Sequence, residues 1–307
     1  MDIIKKLSRS IREYKMVSIM TPVCIVFEVI FEILIPFMMA KMIDSGISSG
    51  NESALVKYGT LLILCVMAGL VFGILSGSLC ATASAGFAKN LRKDMYYKIQ
   101  EYSFANIDKF SSSSIVTRLT TDVTNVQNAY MMIIRIAVRA PFMLIFALIA
   151  AFMTSTKLSL IFLIAIPVLG IGLYIIVSRS HIYFERVFKI YDNLNEVVEE
   201  NLTGMRVVKS FVREDFEEKK FTKVSEAIYK MFLKAEGIVA YNMPLMQFCI
   251  YSCMLFLCWF GARMIITSGA TALTTGELTS LIAYAMSILN CLMMLSMVMV
   301  MINMARA

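Results

Sequence analysis

The stretch Tyr58–Tyr102, YGTLLILCVMAGLVFGILSGSLCATASAGFAKNLRKDMYYKIQEY, decides the fold. Its first part is apolar enough to cross a bilayer. From Lys89 it turns charged, yet Leu91, Met95 and Ile99 keep a four-residue step that holds it helical. Read as one helix of 45 residues, it is about 68 Å long at about 1.5 Å per residue. A hydrocarbon core is about 30 Å thick, so the surplus projects into water as a stalk.

The rest of the chain agrees. Of its 307 residues 59% are hydrophobic and only 17% charged, with mean hydropathy +0.74. Soluble domains carry about 45–50% apolar and about 25% charged residues, so a soluble fold of this size is excluded. Seven cysteines lie in apolar runs without a C-x-x-C pair, and the single His181 cannot complete a metal site with them. They read as inert buried thiols. The net charge of +7 fits loops facing anionic lipid better than nucleic acid.

The chain reads as an all-α membrane protein of six long transmembrane helices, at residues 17–43, 58–85, 137–153, 158–178, 238–266 and 278–304. Pro22, Glu28, Glu32 and Pro36 punctuate the first, which is a permanent span rather than a cleaved signal. Residues 1–16 pattern as an amphipathic surface helix, with Ile4, Leu7, Ile11 and Tyr14 on one face and basic residues on the others. The loops 86–136 and 179–237 are long, and the other links are short. Of the 29 Lys and Arg, 25 fall with the termini and long loops and 4 on the other side. The positive-inside rule therefore puts both termini and both long loops in the cytoplasm. These loops are helical hairpins: Ile115, Leu119, Val123 and Val126 form one stripe, and Glu185–Val208 and Thr222–Glu236 read as helix. Breaks are expected at Ser103–Ser114 and at about Gly204–Phe216.

Several side chains stand out. Glu28 and Glu32, four apart in the first span, share a face. Carboxylates at membrane depth mark function by default. They either line a water-filled cavity that favours cationic amphiphiles, or pair with Arg135, Arg139 or Arg263, or face an inner vestibule for solvation. Arg135 and Arg139 either attract acidic headgroups at the mouth of the third span or snorkel and pair. Gly69, Gly73 and Gly77 form a small-residue stripe for close helix approach. Phe248, Tyr284 and Met293, on the aromatic and Met-rich faces of the last two spans, could line an adaptable pocket or pack against lipid and core. Ser/His/Asp, Cys/His and metal-cluster constellations are not apparent, so no catalytic site is expected in this chain.

Four stretches carry a family resemblance. Phe110-Ser-Ser-Ser-Ser-Ile-Val-Thr-Arg118-Leu119-Thr-Thr-Asp122-Val123 looks like F-S-T-G-x-L-x-S-R-L-x-x-D-V, and Glu200-Asn-Leu-Thr-Gly204-Met-Arg206-Val-Val-Lys209-Ser-Phe211-Val-Arg213-Glu214 is similar to E-x-L-x-G-I-R-V-V-K-A-F-x-R-E. Pro36 with Ile43-Asp44 matches the end of a first helix, and Leu273-Thr-Thr-Gly276-Glu277-Leu278 the turn into a sixth. Together they resemble the transmembrane domain of ABC exporters of the multidrug and lipid type over nearly the whole chain. One departure is Ser113, where that family has Gly. The other is the missing nucleotide-binding domain: no glycine is followed by Lys, so no P-loop exists, and Leu75–Leu79 echoes a signature motif only superficially. The end at Ala307 reads as a cut from a longer chain.

The resemblance implies two such domains, identical or paired with a related chain, around one cavity in the bacterial cytoplasmic membrane. ATP and Mg would bind the absent domain of the same polypeptide, and this chain would bind no cofactor. Coupling helices are expected near Phe104–Phe110 and Arg213–Glu218, with Phe104, Ile107, Asp108, Phe110, Phe211, Arg213, Glu214 and Phe216 gripping that domain. Exposed aromatics at a charged stalk tip suit docking, and packing of the two tips on each other is the alternative. The substrates would be amphiphilic drugs, lipids or peptides. The competing class is a secondary multidrug transporter or channel, which has no need of stalks.

Overall fold

Inside lipid the backbone can satisfy its polar groups only as helix or closed barrel, and long apolar runs with few glycines and prolines select helix. A computed structural model describes Leu7, residues 9–103 and 112–306, and contains no strand among them. Six helical stretches among the described residues are long and apolar enough to cross a membrane. The chain divides into two units, one of residues 1–165 and 250–298, the other of residues 166–249 and 299–307.

In the first unit, α1 (Lys15–Met42) passes into a π-turn at Ile43–Ile47. Helix α2 (Glu52–Gln100) starts at Asn51, whose side chain accepts the Ala54 N–H. The next rod is assembled from α3 (Ser112–Thr117), α4 (Val123–Met132) and α5 (Val138–Thr154), joined by π-turns at Arg118–Asp122 and Ile133–Ala137. A single extended residue, Ser155, separates it from α6 (Thr156–Ser210). Helices α1 and α2 pack through Phe27 and Phe31, stacked on Phe72 at 5.2 and 5.7 Å. The stripe helps them approach: a Cβ on Gly69 would lie 3.7 Å from Phe31. Small buried residues on α5 (Ala140, Ala147, Ala151) do the same for its neighbours. Tyr284 on α9 (Thr275–Arg306) is fully buried and donates its O–H to the Ile33 carbonyl at 3.2 Å.

Within the N-terminal segment, residues 9–14 depart from the expected surface helix. Arg9–Tyr14 is a 3-10 turn in which Arg12 leaves helical geometry at φ 40°, ψ −116°. Asp94 on α2 is the cause, because it accepts both the Ser10 hydroxyl at 2.9 Å and the Arg12 guanidinium at 2.7 Å. Tyr14 lies so close over Gly86 that a Cβ there would sit 2.5 Å from the ring. Residues 1–6 and Ser8 lie outside the described residues.

In the second unit, α6 and α7 (Glu214–Val239) form a hairpin. Phe184 meets Phe232 edge-on at 6.1 Å, and Lys220 pairs with Glu200 at 2.5 Å. Helix α6 runs 55 residues, about 82 Å. The break expected from Gly204 does not occur there. A helical Gly costs only about 1 kcal/mol, and the helix continues to Ser210, leaving Phe211–Arg213 as the turn. The break before the fifth span falls at Ala240–Tyr241, ahead of α8 (Asn242–Ser268). Pro244 in the first turn of α8 lacks the N–H an uninterrupted helix would use.

Candidate functional site

Glu28 and Glu32 project from one face of α1 toward the start of α5, where Arg139 bridges them. Its Nη1 is 2.6 Å from Glu28 Oε1 and its Nη2 2.5 Å from Glu32 Oε2. Of the three candidate arginines, Arg139 is therefore the partner. Ser76 on α2 donates to Glu28 Oε2 at 3.0 Å, so both oxygens of Glu28 are engaged. The α2 glycines make room for this network: Cβ atoms on Gly73 and Gly77 would lie 3.6 Å from the Glu28 carboxylate and 3.8 Å from the Arg135 guanidinium.

Beside it opens a cavity of about 530 Å³ lined by Glu32, Arg135, Arg139, Ser287, Asn290 and Met294, among others. Three residues expected there lie elsewhere. Tyr284 is enclosed in the core, Met293 is half-buried one position from Met294, and Phe248 is exposed in the second unit. The signal for Ser287, Asn290, Cys291 and Met294 is their spacing of three, four and seven residues, which puts them on one helical stripe.

A second polar site joins the first and last spans. Asp44, in the π-turn after α1, accepts the Thr274 hydroxyl at 2.6 Å and the Gly276 N–H at 2.9 Å. Thr274 and Glu277 form a reciprocal capping box, Glu277 N–H to Thr274 Oγ1 at 3.2 Å and Thr274 N–H to Glu277 Oε2 at 3.0 Å. Gly276 is required, since a Cβ would run into the Ala40 carbonyl oxygen. Two motifs far apart in sequence thus meet in one latch.

The third site is the α6–α7 tip. Arg213 N–H reaches the Val208 carbonyl at 3.0 Å and Val212 N–H the Lys209 carbonyl at 3.4 Å, the Schellman pattern. Its left-handed position is held by Val212 at φ 49°. The corresponding positions at the short turns are Gly50 and Gly269. Phe211 and Phe216 flank the turn at 72% and 59% exposure. Lys209 pairs with Glu214 at 3.0 Å. A bond from its own backbone amide, then the Lys209 ammonium, hold the Glu214 carboxyl below its usual range. Phe104, Ile107, Asp108 and Phe110, expected at the other tip, lie outside the described residues.

Residues 18–293 match the ABC transporter transmembrane region. The chain belongs to the ABC transporter transmembrane family. This ABC transmembrane domain is 29% identical over 297 residues to an uncharacterized ABC transporter ATP-binding protein of Bacillus subtilis (strain 168), YfiB, covering 97% of this chain and 51% of that protein. It is 27% identical over 298 residues to a counterpart of Mycobacterium tuberculosis, Rv1273c, covering 95% and 50%. An ATP-dependent lipid A-core flippase of Pseudoalteromonas translucida shares 24% over 254 residues, 82% and 43% of the two chains. The ABC domain spans about half the length of these relatives.

Proposed function

We propose that this ABC domain forms the substrate pathway of an ATP-driven exporter, working as one of two such domains in the cell membrane with both termini and the stalk tips in the cytoplasm. The observation that best supports it is that α6 is about 82 Å long, far beyond a membrane crossing, and ends in exposed Phe211 and Phe216. A rigid rod with an aromatic tip is a means of receiving force from a motor outside the bilayer. A nucleotide-binding domain, which would hold ATP and Mg, docks there and drives alternating access. The flippase among the relatives favours amphiphilic cargo, a class that includes lipids, drugs and peptides.

The test is transport stoichiometry in the full-length protein reconstituted in liposomes. Phe211→Ala and Phe216→Ala are expected to lower the amphiphile moved per ATP hydrolysed by about tenfold, the scale of losing one interfacial anchor, with membrane insertion intact. Wild-type stoichiometry in both variants would overturn the coupling role.

A further inference from the structure

The polar groups of the cavity are unevenly satisfied. Glu28 has both oxygens engaged, by Arg139 and Ser76. Among the described residues Glu32 is bonded through Oε2 alone, its side chain is 41% exposed, and it faces the cavity. One arginine shared by two carboxylates leaves that cluster one negative charge in excess. Arg135 is exposed on the same cavity, within the widened π-turn Ile133–Ala137, and pairs with no carboxylate among the described residues. An exposed guanidinium that lines a cavity at the mouth of a span, with no carboxylate partner among the described residues, is open to a ligand or to water. Among the described residues the cavity therefore presents an unpaired guanidinium and a half-bonded carboxylate, with Met143 and Met294 as an adaptable apolar wall.

Ligand charge classes fare differently here. A purely anionic amphiphile gains Arg135 but meets the excess charge at Glu32. A purely cationic one gains Glu32 but meets Arg135. We propose that the cavity binds a zwitterionic amphiphile, its anionic group on Arg135, its cationic group on Glu32 Oε1, and its chain along the methionines. Guanidinium takes phosphate or carboxylate through paired N–H donors, and Ser287 and Asn290 offer neutral hydrogen bonds between the two charges. A volume of about 530 Å³ accommodates a headgroup and the start of a chain. This deepens the reading of the cavity as a substrate pathway and rests on it.

The experiment titrates the full-length protein, purified in a nonionic detergent, with three single-chain lipids of equal length, read by native mass spectrometry. They are a lysophosphatidylethanolamine, a lysophosphatidylglycerol and an alkyltrimethylammonium. The zwitterion is expected to bind about tenfold tighter than either of the others, the scale of one charge-assisted pair. Arg135→Ala and Arg135→Gln should each remove that advantage and tighten binding of the cationic lipid, whose repulsion by the guanidinium is gone. Three equal affinities, or an unchanged ranking in both variants, would overturn the proposal; the wild-type ranking alone decides it if neither variant folds. Zwitterion preference without stimulated ATP hydrolysis by the full-length protein would sink the transport reading and leave this one standing. Unselective binding with stimulation would do the reverse.

Discussion

Replacing Asp44 by Ala removes the acceptor that ties the first span to the last. Two hydrogen bonds to a carboxylate are lost, from Thr274 at 2.6 Å and from Gly276 at 2.9 Å. Bonds to charged groups contribute about 1.5–3 kcal/mol each. The part-buried setting takes the low end, and the carboxylate at the start of α9 adds about 0.3–1 kcal/mol. The expected loss is about 3–4 kcal/mol. In a thermal scan in detergent at fixed scan rate this corresponds to a midpoint lower by roughly 5–10 °C. Asp44→Asn keeps an acceptor for the Gly276 N–H and should lose about half as much. Gly276→Ala should match or exceed Asp44→Ala, because its Cβ collides with backbone at Ala40 rather than with a side chain that could swing away. A midpoint for Asp44→Ala within 1 °C or so of wild type would refute the latch.

Arg139→Ala leaves two carboxylates on one face without their cation, and about 2–3 kcal/mol should be lost, less than for a fully buried pair because these side chains are part-exposed. Adding Glu28→Gln and Glu32→Gln should restore most of it, and an additive triple variant in the same scan would contradict the shared pairing. At the stalk tip, Val212→Gly relieves a left-handed β-branched residue and should stabilise the hairpin by about 0.5–1 kcal/mol, read as a higher denaturation midpoint; a lower midpoint would show that the Val side chain makes a contact worth more than the strain. The Glu214 carboxyl is held below 4.5 in the folded state. Its stabilising effect is therefore present above that pH and fades as pH falls through the lowered value. Glu214→Gln should flatten the pH dependence of hairpin melting on the acid side, and an unaltered profile would assign that dependence to other groups.

The six long apolar helices and the α6–α7 hairpin were legible because apolar runs and four-residue steps are local signals. The apolar runs read from the sequence overlap the six long apolar helices among the described residues, although the fifth run crosses the break at Ala240–Tyr241. What escaped was long-range or contrary to local preference. Arg135, Arg139 and Arg263 were equal candidates for Glu28 and Glu32 until α5 was placed against α1. Asp44 and Gly276 are 232 residues apart, and no periodicity links them. Gly204 carries the usual mark of a turn yet lies inside α6, where a helical Gly costs only about 1 kcal/mol, while the turn itself falls on Val212, a residue type that avoids left-handed backbone. The π-turns at Arg118–Asp122 and Ile133–Ala137 leave no trace in residue type.

The unbroken course of α6 from Gly172 to Ser210 makes its two ends answerable to one another in angle as well as in distance. Each residue turns the helix by about 100°. Inserting or deleting a single residue midway would swing Phe211 and the whole tip to another bearing and would turn Glu200 away from Lys220. Length changes in this rod can be absorbed only near whole numbers of turns, seven residues being the first close match. Point substitutions on its wet face should be forgiven far more readily than any change in its count.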